Sequence, residues 1–273
     1  TADGGTKGFI EADDGPSTYT AFQDAGLNPM ALSVDPFSQF IAWGAKNPAD
    51  SSWYLHGGTT SGSEPYGQEV FSVPIDGDPF ETILLGEFVY WTRNGGSSLF
   101  RRTTAAAGNV EEMIGSLEMP MGLVSQASDI YVATATEIVR LPSTGSPPLN
   151  PYSFATGQNR PLYVAKAEPR IVWSNLGAPG IFGRLIDGNE DVQGVLINND
   201  VHGIMAMTAR DDVIYFYGTQ TSTNKTGIFA VPAYPGSGPV PLAITSVQAV
   251  DIAVDDSWVY WASMDQRILR VSR

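Results

Sequence analysis

The 273-residue chain contains no cysteine, which excludes disulfides, thiolate metal sites and a cysteine nucleophile. Its only histidines are His56 and His202, so a three-histidine metal site is excluded and a Ser-His-Asp triad would have to use one of them. Charged residues are scarce at 16%, and the 29 acidic residues outnumber the 15 basic ones. The resulting charge of −14 repels phosphate backbones and argues against nucleic acid as a partner. No apolar run approaches the ~20 residues of a membrane-spanning helix, so membrane insertion by this chain is not expected. Thr1-Ala2-Asp3-Gly4-Gly5 lacks the basic and apolar regions of a signal peptide. Nucleophile elbows of the Gly-x-Ser-x-Gly kind, sialidase-type boxes and phosphate-cradling Gly-Lys loops are also missing. Long helical periodicity is absent as well, because 29 Gly and 19 Pro interrupt every window that could carry it.

What is present is a repeat. A β-branched and aromatic run recurs as Phe40-Ile41-Ala42-Trp43, Phe88-Val89-Tyr90-Trp91, Asp129-Ile130-Tyr131-Val132, Arg170-Ile171-Val172-Trp173, Val213-Ile214-Tyr215-Phe216 and Trp258-Val259-Tyr260-Trp261. The last residues of these runs lie 48, 41, 41, 43 and 45 positions apart. An apolar stretch precedes each run, and an acid (Asp35, Glu87, Asp129, Glu168, Asp212, Asp256) sits between the two, where a carboxylate can accept backbone N–H groups and stabilise a reversal. A third strand is expected after each run, at Glu69–Val73, Ser98–Arg101, Glu137–Leu141, Gly180–Leu185, Gly227–Val231 and Arg267–Val271. A weaker fourth strand completes the unit. Four strands in about 40 to 50 residues is propeller spacing.

The pattern predicts an all-β chain folded as one six-bladed β-propeller with four-stranded antiparallel blades. The blades fall near residues 28–83, 84–117, 118–157, 158–199, 200–245 and 246–273. The last unit stops after its third strand, so Ser17–Phe22 is expected to supply the missing strand and close the ring. That leaves a surplus strand at residues 8–13.

Val89-Tyr90-Trp91-Thr92 and Val259-Tyr260-Trp261-Ala262 resemble the Tyr-Trp-Thr-Asp (YWTD) repeat of low-density lipoprotein receptor class B modules. Gly180-Ile181-Phe182-Gly183-Arg184-Leu185-Ile186-Asp187-Gly188 is similar to that family's third strand and Asp-Gly turn, with Arg184 in the place of the family arginine. The chain is read as a bacterial relative of that family, whose members are six-bladed propellers. Arg93 and Ser263 stand where the family has Asp, while Arg101, Arg140, Arg184 and Arg270 persist on third strands. The resemblance implies binding, chiefly of protein partners, rather than catalysis.

Two regions are candidate sites. Gly44 to Gln68 reads as an enlarged first-blade loop whose Trp53, Tyr54, His56 and Tyr66 offer rigid contact area, or else anchor the loop to the body. Gly57-Gly58 and Gly95-Gly96 read as turns. The segments that start successive blades should ring the channel mouth with a polar collar of Asn28, Glu118, Gln158, Asn159, Arg160, Asn199, Asp200, His202, Ser246 and Gln248. Asn199, Asp200 and His202 are its densest cluster. With Glu118, Asp200 could hold a hard divalent cation such as Ca2+, although Asn-Asn-Asp is also an ordinary turn sequence. Asp187-Gly188-Asn189-Glu190-Asp191 and Asp13-Asp14-Gly15 are read as turns rather than calcium loops.

The leading functional expectation is a non-enzymatic binding or scaffold propeller that takes a protein, a glycan or a small polar ligand on its loop-bearing face. The alternative is a channel-centred, cation-dependent hydrolase or lyase of the lactonase-like type. A spacer within a longer polypeptide is a third. Few lysines, no cysteine and many Gly, Thr and Asn suggest an extracellular, periplasmic or cell-surface location.

Overall fold

The repeated aromatic runs are the second strands of six antiparallel sheets, the blades of an all-β six-bladed β-propeller. The computed structural model describes residues 8–13, 18–24, 28–35, 40–47, 50–59, 68–265 and 267–273, and none of these residues is helical. An N-terminal pair, β1 (Gly8–Asp13) and β2 (Thr18–Asp24), precedes the blades. The first blade runs β3 (Asn28–Asp35), β4 (Phe40–Lys46), β5 (Trp53–Thr59) and β6 (Gln68–Ile75). The second runs β7 (Pro79–Leu85), β8 (Phe88–Arg93), β9 (Leu99–Thr103) and β10 (Glu111–Ile114). The third has β11 (Leu123–Gln126), β12 (Asp129–Ala133), β13 (Ile138–Pro142) and β14 (Tyr152–Ala155). The fourth has β15 (Pro161–Ala167), β16 (Arg170–Asn175), β17 (Ile181–Leu185) and β18 (Val195–Asn198). The fifth has β19 (Val201–Arg210), β20 (Val213–Gln220), β21 (Lys225–Pro232) and β22 (Val240–Ile244), and the sixth β23 (Ala249–Val254), β24 (Trp258–Ser263) and β25 (Ile268–Ser272). Within each blade, sequential strands are hydrogen-bonded neighbours, so every connection is local.

Tertiary contacts divide the chain into two compact units. One runs to Pro120 and includes Ser143–Leu149; the other comprises Met121–Pro142 and Asn150–Arg273. In the first, Phe40, Leu55, Phe71, Val89 and Trp91 form a core between the sheets of blades one and two. In the second, Tyr131, Phe154 and Trp173 join blades three and four. Phe216 and Phe229 meet Val172, Ile181 and Ile197 between blades four and five, and Tyr217, Ile228 and Trp261 between five and six. A sheet covered on both faces explains why second strands such as β8 and β16 are buried almost throughout instead of alternating.

Three sequence expectations are corrected. Thr18–Phe22 lies in β2, which pairs with β1 from Gly8↔Asp24 to Asp13↔Thr18; among the described residues no fourth strand pairs with β25. Ser17 lies outside the described residues. The surplus strand 8–13 therefore has its partner in the adjacent segment, a contact with a far lower loop-closure cost than pairing the two chain ends. Second, the enlarged first-blade loop contains a strand: Trp53–Thr59 is β5, fully in register with β4, and Glu69–Val73 belongs to the fourth strand, not the third. Gly57 and Gly58 are strand residues, because the Phe71 and Phe40 rings occupy the space a Cβ at Gly57 would need. Third, Asp76-Gly77-Asp78 leads from β6 into β7, which starts at Pro79, so the boundary expected near residue 83 falls inside a strand.

The acid between first and second strands does more than cap a turn. Asp129 pairs with Arg140 at 2.6 Å, Glu168 with Lys166 at 2.8 Å, and Asp256 with Arg210. In blade six the N–H groups of Ser257 and Trp258 donate instead to Asp255, one residue earlier than expected, each at 2.7 Å. Third-strand arginines bind main-chain carbonyls: Arg184 donates to Phe154 O, Gly188 O and Glu190 O, which ties blade four to blade three. Of the two residues standing where the family has Asp, Arg93 pairs with Asp76 at 2.9 Å and the Ser263 hydroxyl donates to Asp265 and Arg267 O.

Candidate functional site

The segments that start blades are stitched to the loops between second and third strands. Asn94 N donates to Asp78 O, Leu176 N to Arg160 O, Thr221 N to Asp200 O and Met264 N to Gln248 O, at 2.8 to 2.9 Å. Three of the residues expected in the collar, Arg160, Asp200 and Gln248, thus serve these loops with their backbone carbonyls. The β16–β17 loop and the start of β19 flank a cleft of about 290 Å3, lined by Leu162, Ser174, Asn175, residues 176–180 and His202–Met205.

Local backbone chemistry shapes this cleft. β19 loses register with β20 between His202 and Ala206, a bulge of the kind that re-aims side chains, and Gly203 sits in it at φ +60, where a Cβ is strained. Across the cleft, Gly180 has φ +112 and a Cβ there would come within 2.6 Å of Asn198 O. The lining divides by polarity. Leu176 and Met205 are large apolar side chains exposed at 55% and 39%, while Ile204 is buried. Ser174 is buried and accepts from Tyr163 N at 3.4 Å.

Beneath the loop lies Gln158, itself buried. Its side-chain NH2 donates to Thr156 O and Gln193 O, both at 2.8 Å, and its Oε1 accepts from Trp173 Nε1 at 2.7 Å and Asn175 Nδ2 at 3.3 Å. Gln158 is therefore saturated and positions its neighbours. Asn175 Oδ1 is buried without a donor in the protein, a state that costs about 1–3 kcal/mol if left unpaired. Asn159 is exposed and donates to Gly177 O at 2.8 Å; Arg160 is exposed at φ +56 and donates its N–H to Ala135 O.

Of the expected dense cluster, Asn199 is exposed, and Asp200 and His202 turn to the β20–β21 connection. Asp200 Oδ1 accepts from Ser222 N at 2.6 Å, and Oδ2 from Ser222 Oγ at 2.6 Å and Gln220 Nε2 at 2.9 Å. Hydrogen bonds from Ser222 and then Gln220 hold its carboxyl below the usual Asp range. His202 Nδ1 lies 3.0 Å from Thr221 Oγ1. Both oxygens of Asp200 are thus engaged in turn structure, and Glu118 is an exposed residue of the first unit. Among the described residues no group of three or more His, Cys, Asp or Glu is arranged to hold a metal. Asp187 and Asp191 accept the N–H groups of Asn189 and Gln193, as turn residues do.

The first-blade candidates sit in the first unit. His56 is 3% exposed, stacked on Trp43 with centroids 5.2 Å apart and 3.5 Å from Glu69. Trp53 and Tyr54 are half-buried on β5, Lys46 Nζ lying 5.8 Å from the Trp53 ring centroid. Tyr66 lies outside the described residues. Of the residues singled out in the sequence, His202 lines the cleft and Gln158 and Asn159 hydrogen-bond to its lining residues Asn175 and Gly177; Asn175, Leu176 and Met205 were not singled out. Asn175 lies two residues beyond the aromatic run, at the end of β16, and could have been flagged as a polar residue closing a buried strand.

No protein-family model matches the chain, and no curated protein matches it in sequence. It is similar in structure to hydrazine synthase of Kuenenia stuttgartiensis, with a TM-score of 0.69 and 12% identity over 89% of this chain and 76% of that one. It is also similar to a streptogramin B lyase, at 0.61 and 13% over 90% and 83%, and to a chain of the nidogen/laminin complex, at 0.59 and 13% over 79% and 80%. At such identities the likeness shows the fold.

Proposed function

We propose that the chain is a binding propeller, a distant relative of the YWTD family, that captures a protein group, a glycan or a small polar ligand in the cleft between the β16–β17 loop and the start of β19. The observation that carries this reading is the lining of the cleft, which sets the neutral polar residues Ser174, Asn175 and His202 beside the exposed apolar side chains of Leu176 and Met205. Ligand sites join a few fixed polar groups to an apolar wall in this way. The nidogen/laminin likeness is compatible with a protein partner, and the lyase likeness with a small molecule. A cation-dependent hydrolase would have to use an Asp200 carboxylate that already accepts three hydrogen bonds from Ser222 and Gln220. The low-lysine, cysteine-free composition supports a place outside the cytoplasm, which fractionation of the source cells tests.

Selective methyl labelling of the seven methionines gives a direct test. A panel of fragments, peptides and oligosaccharides should contain members that shift the Met205 methyl resonance, and Leu176→Glu should abolish the shift. If every binder leaves Met205 unmoved, or binds the Leu176→Glu protein equally well, the cleft is not the site.

A further inference from the structure

We propose that the turn joining β8 to β9 is a self-modifying site, at which water converts Asn94 into aspartate and isoaspartate while the protein stays folded. The reaction needs a side-chain amide followed by a free main-chain N–H that can attack it, with room for the ring that forms. Asn94-Gly95 is the one Asn-Gly pair in the sequence. Asn28, Asn47 and Asn150 precede proline, which offers no N–H, and every remaining asparagine precedes a residue whose Cβ crowds the attack. At Asn94 the structure supplies both requirements. Asn94 and Gly95 are exposed. Gly96 N closes the turn by donating to Arg93 O at 3.1 Å, while among the described residues the Gly95 N–H has no acceptor. Gly95 has φ +69, a conformation glycine adopts without strain, and a Cβ built there would meet nothing within 4 Å beyond its chain neighbours. The attacking nitrogen is therefore both unpaired and unobstructed.

The chemistry is hydrolytic. Gly95 N attacks Asn94 Cγ, the Cγ–Nδ2 bond breaks, and ammonia leaves with the Gly95 proton, giving a cyclic imide. Water then opens the imide. Attack at Cγ gives aspartate; attack at the Asn94 main-chain carbonyl carbon leaves the chain running through Cγ as isoaspartate, with one extra methylene in the main chain. Either product disturbs the blade. Asn94 Nδ2 lies 3.5 Å from Asp78 Oδ2, and Asn94 N donates to Asp78 O at 2.8 Å, the stitch that Leu176, Thr221 and Met264 make in later blades. Both products lose the amide donor and add a carboxylate beside Asp78. Arg93, the adjacent residue, is already paired with Asp76, and Asp78 Oδ1 has no donor in the protein, so the new charge meets repulsion. The isoaspartate also lengthens the chain at the stitch itself.

Holding the folded full chain in mildly alkaline buffer, with the peptide Thr-Arg-Asn-Gly-Gly-Ser treated alongside, tests the site when every asparagine is mapped over time by tandem mass spectrometry. Asn94 should convert first, at a rate of the same order as the peptide's, with aspartate and isoaspartate both present and ammonia released in equal amount. Conversion of the peptide while Asn94 stays intact in the folded chain overturns the proposal, and so does any other asparagine converting ahead of it. Asn94→Ser should abolish the early ammonia release; its persistence in that variant places the reaction elsewhere and overturns the assignment. Asn94→Asp carries the new charge without the longer chain, and should exchange the amide hydrogens of residues 94–98 severalfold faster than the unmodified protein, with the isoaspartate form faster still. Unchanged exchange in both forms overturns the predicted loosening of the stitch. The map of the unmodified protein decides the site even if a variant fails to fold.

Discussion

The two ends of blades four and five use polar residues in different ways. At the end bearing the turns between first and second strands, the charges are paired. Arg170 and Glu190 form a bidentate pair with Nη2 to Oε1 at 2.6 Å, Leu185 N donates to Glu190 at 3.0 Å, and Arg273 bridges Asp211 at 3.1 Å and the Tyr215 hydroxyl at 2.6 Å. At the opposite end, the cleft is built from neutral amides, hydroxyls, a histidine and apolar side chains. Ion pairs fix architecture where solvent screening is reduced, while an amide can hold an oxygen in place without charge. The difference teaches that the conspicuous acids are structural and that the candidate site is among the least charged parts of these blades.

Glu190→Ala should produce the largest stability loss, about 3 kcal/mol or more, because it strands a buried Arg170. Urea unfolding measures this, and a loss no larger than that of a cleft-rim substitution would break the comparison. Gln158→Leu should come next, at about 2–3 kcal/mol, since it leaves the Trp173 N–H and two carbonyls without partners.

The pH dependence sharpens the same contrast. Burial alone would raise the Glu190 carboxyl, but the hydrogen bonds from Arg170 and Leu185 N and the charges of Arg170 and Arg184 outweigh it, so its value lies below normal. A depressed carboxyl stabilises the folded state above its unfolded value, near ~4.3, and loses that contribution as pH falls through the folded value. The stability gap between the unmodified protein and Glu190→Gln should thus be full at neutral pH and shrink in acid; a gap independent of pH would remove the charge from the explanation. Leu176→Ser should have the smallest effect on stability, within about 0.5 kcal/mol for so exposed a side chain, while weakening ligand capture. A large destabilisation there would make Leu176 a structural residue instead of a rim.

The repeat of aromatic second strands could be read directly because each blade must bury the same strand against its neighbours, and Trp91, Tyr131, Trp173, Phe216 and Trp261 all do so. The third strand of the first blade was misread because Gly57-Gly58 imitates a turn until Phe71 and Phe40 are seen filling the space above it. That Arg160, Asp200 and Gln248 lie where blades begin was legible from the repeat. That Gln158 would be saturated was not, since this depends on hydrogen bonds with Trp173, Gln193 and Thr156.

The sequence by itself determined the all-β class, the six-fold period and the absence of thiol and polyhistidine chemistry, because periodicity and composition act locally along the chain. Only the tertiary structure decided which acids are spent on arginines, where β2 finds its partner, and that β16–β17 and β19 enclose a cleft. Those outcomes depend on donors and acceptors brought together from distant positions, and a linear pattern carries no information about which of them are already satisfied.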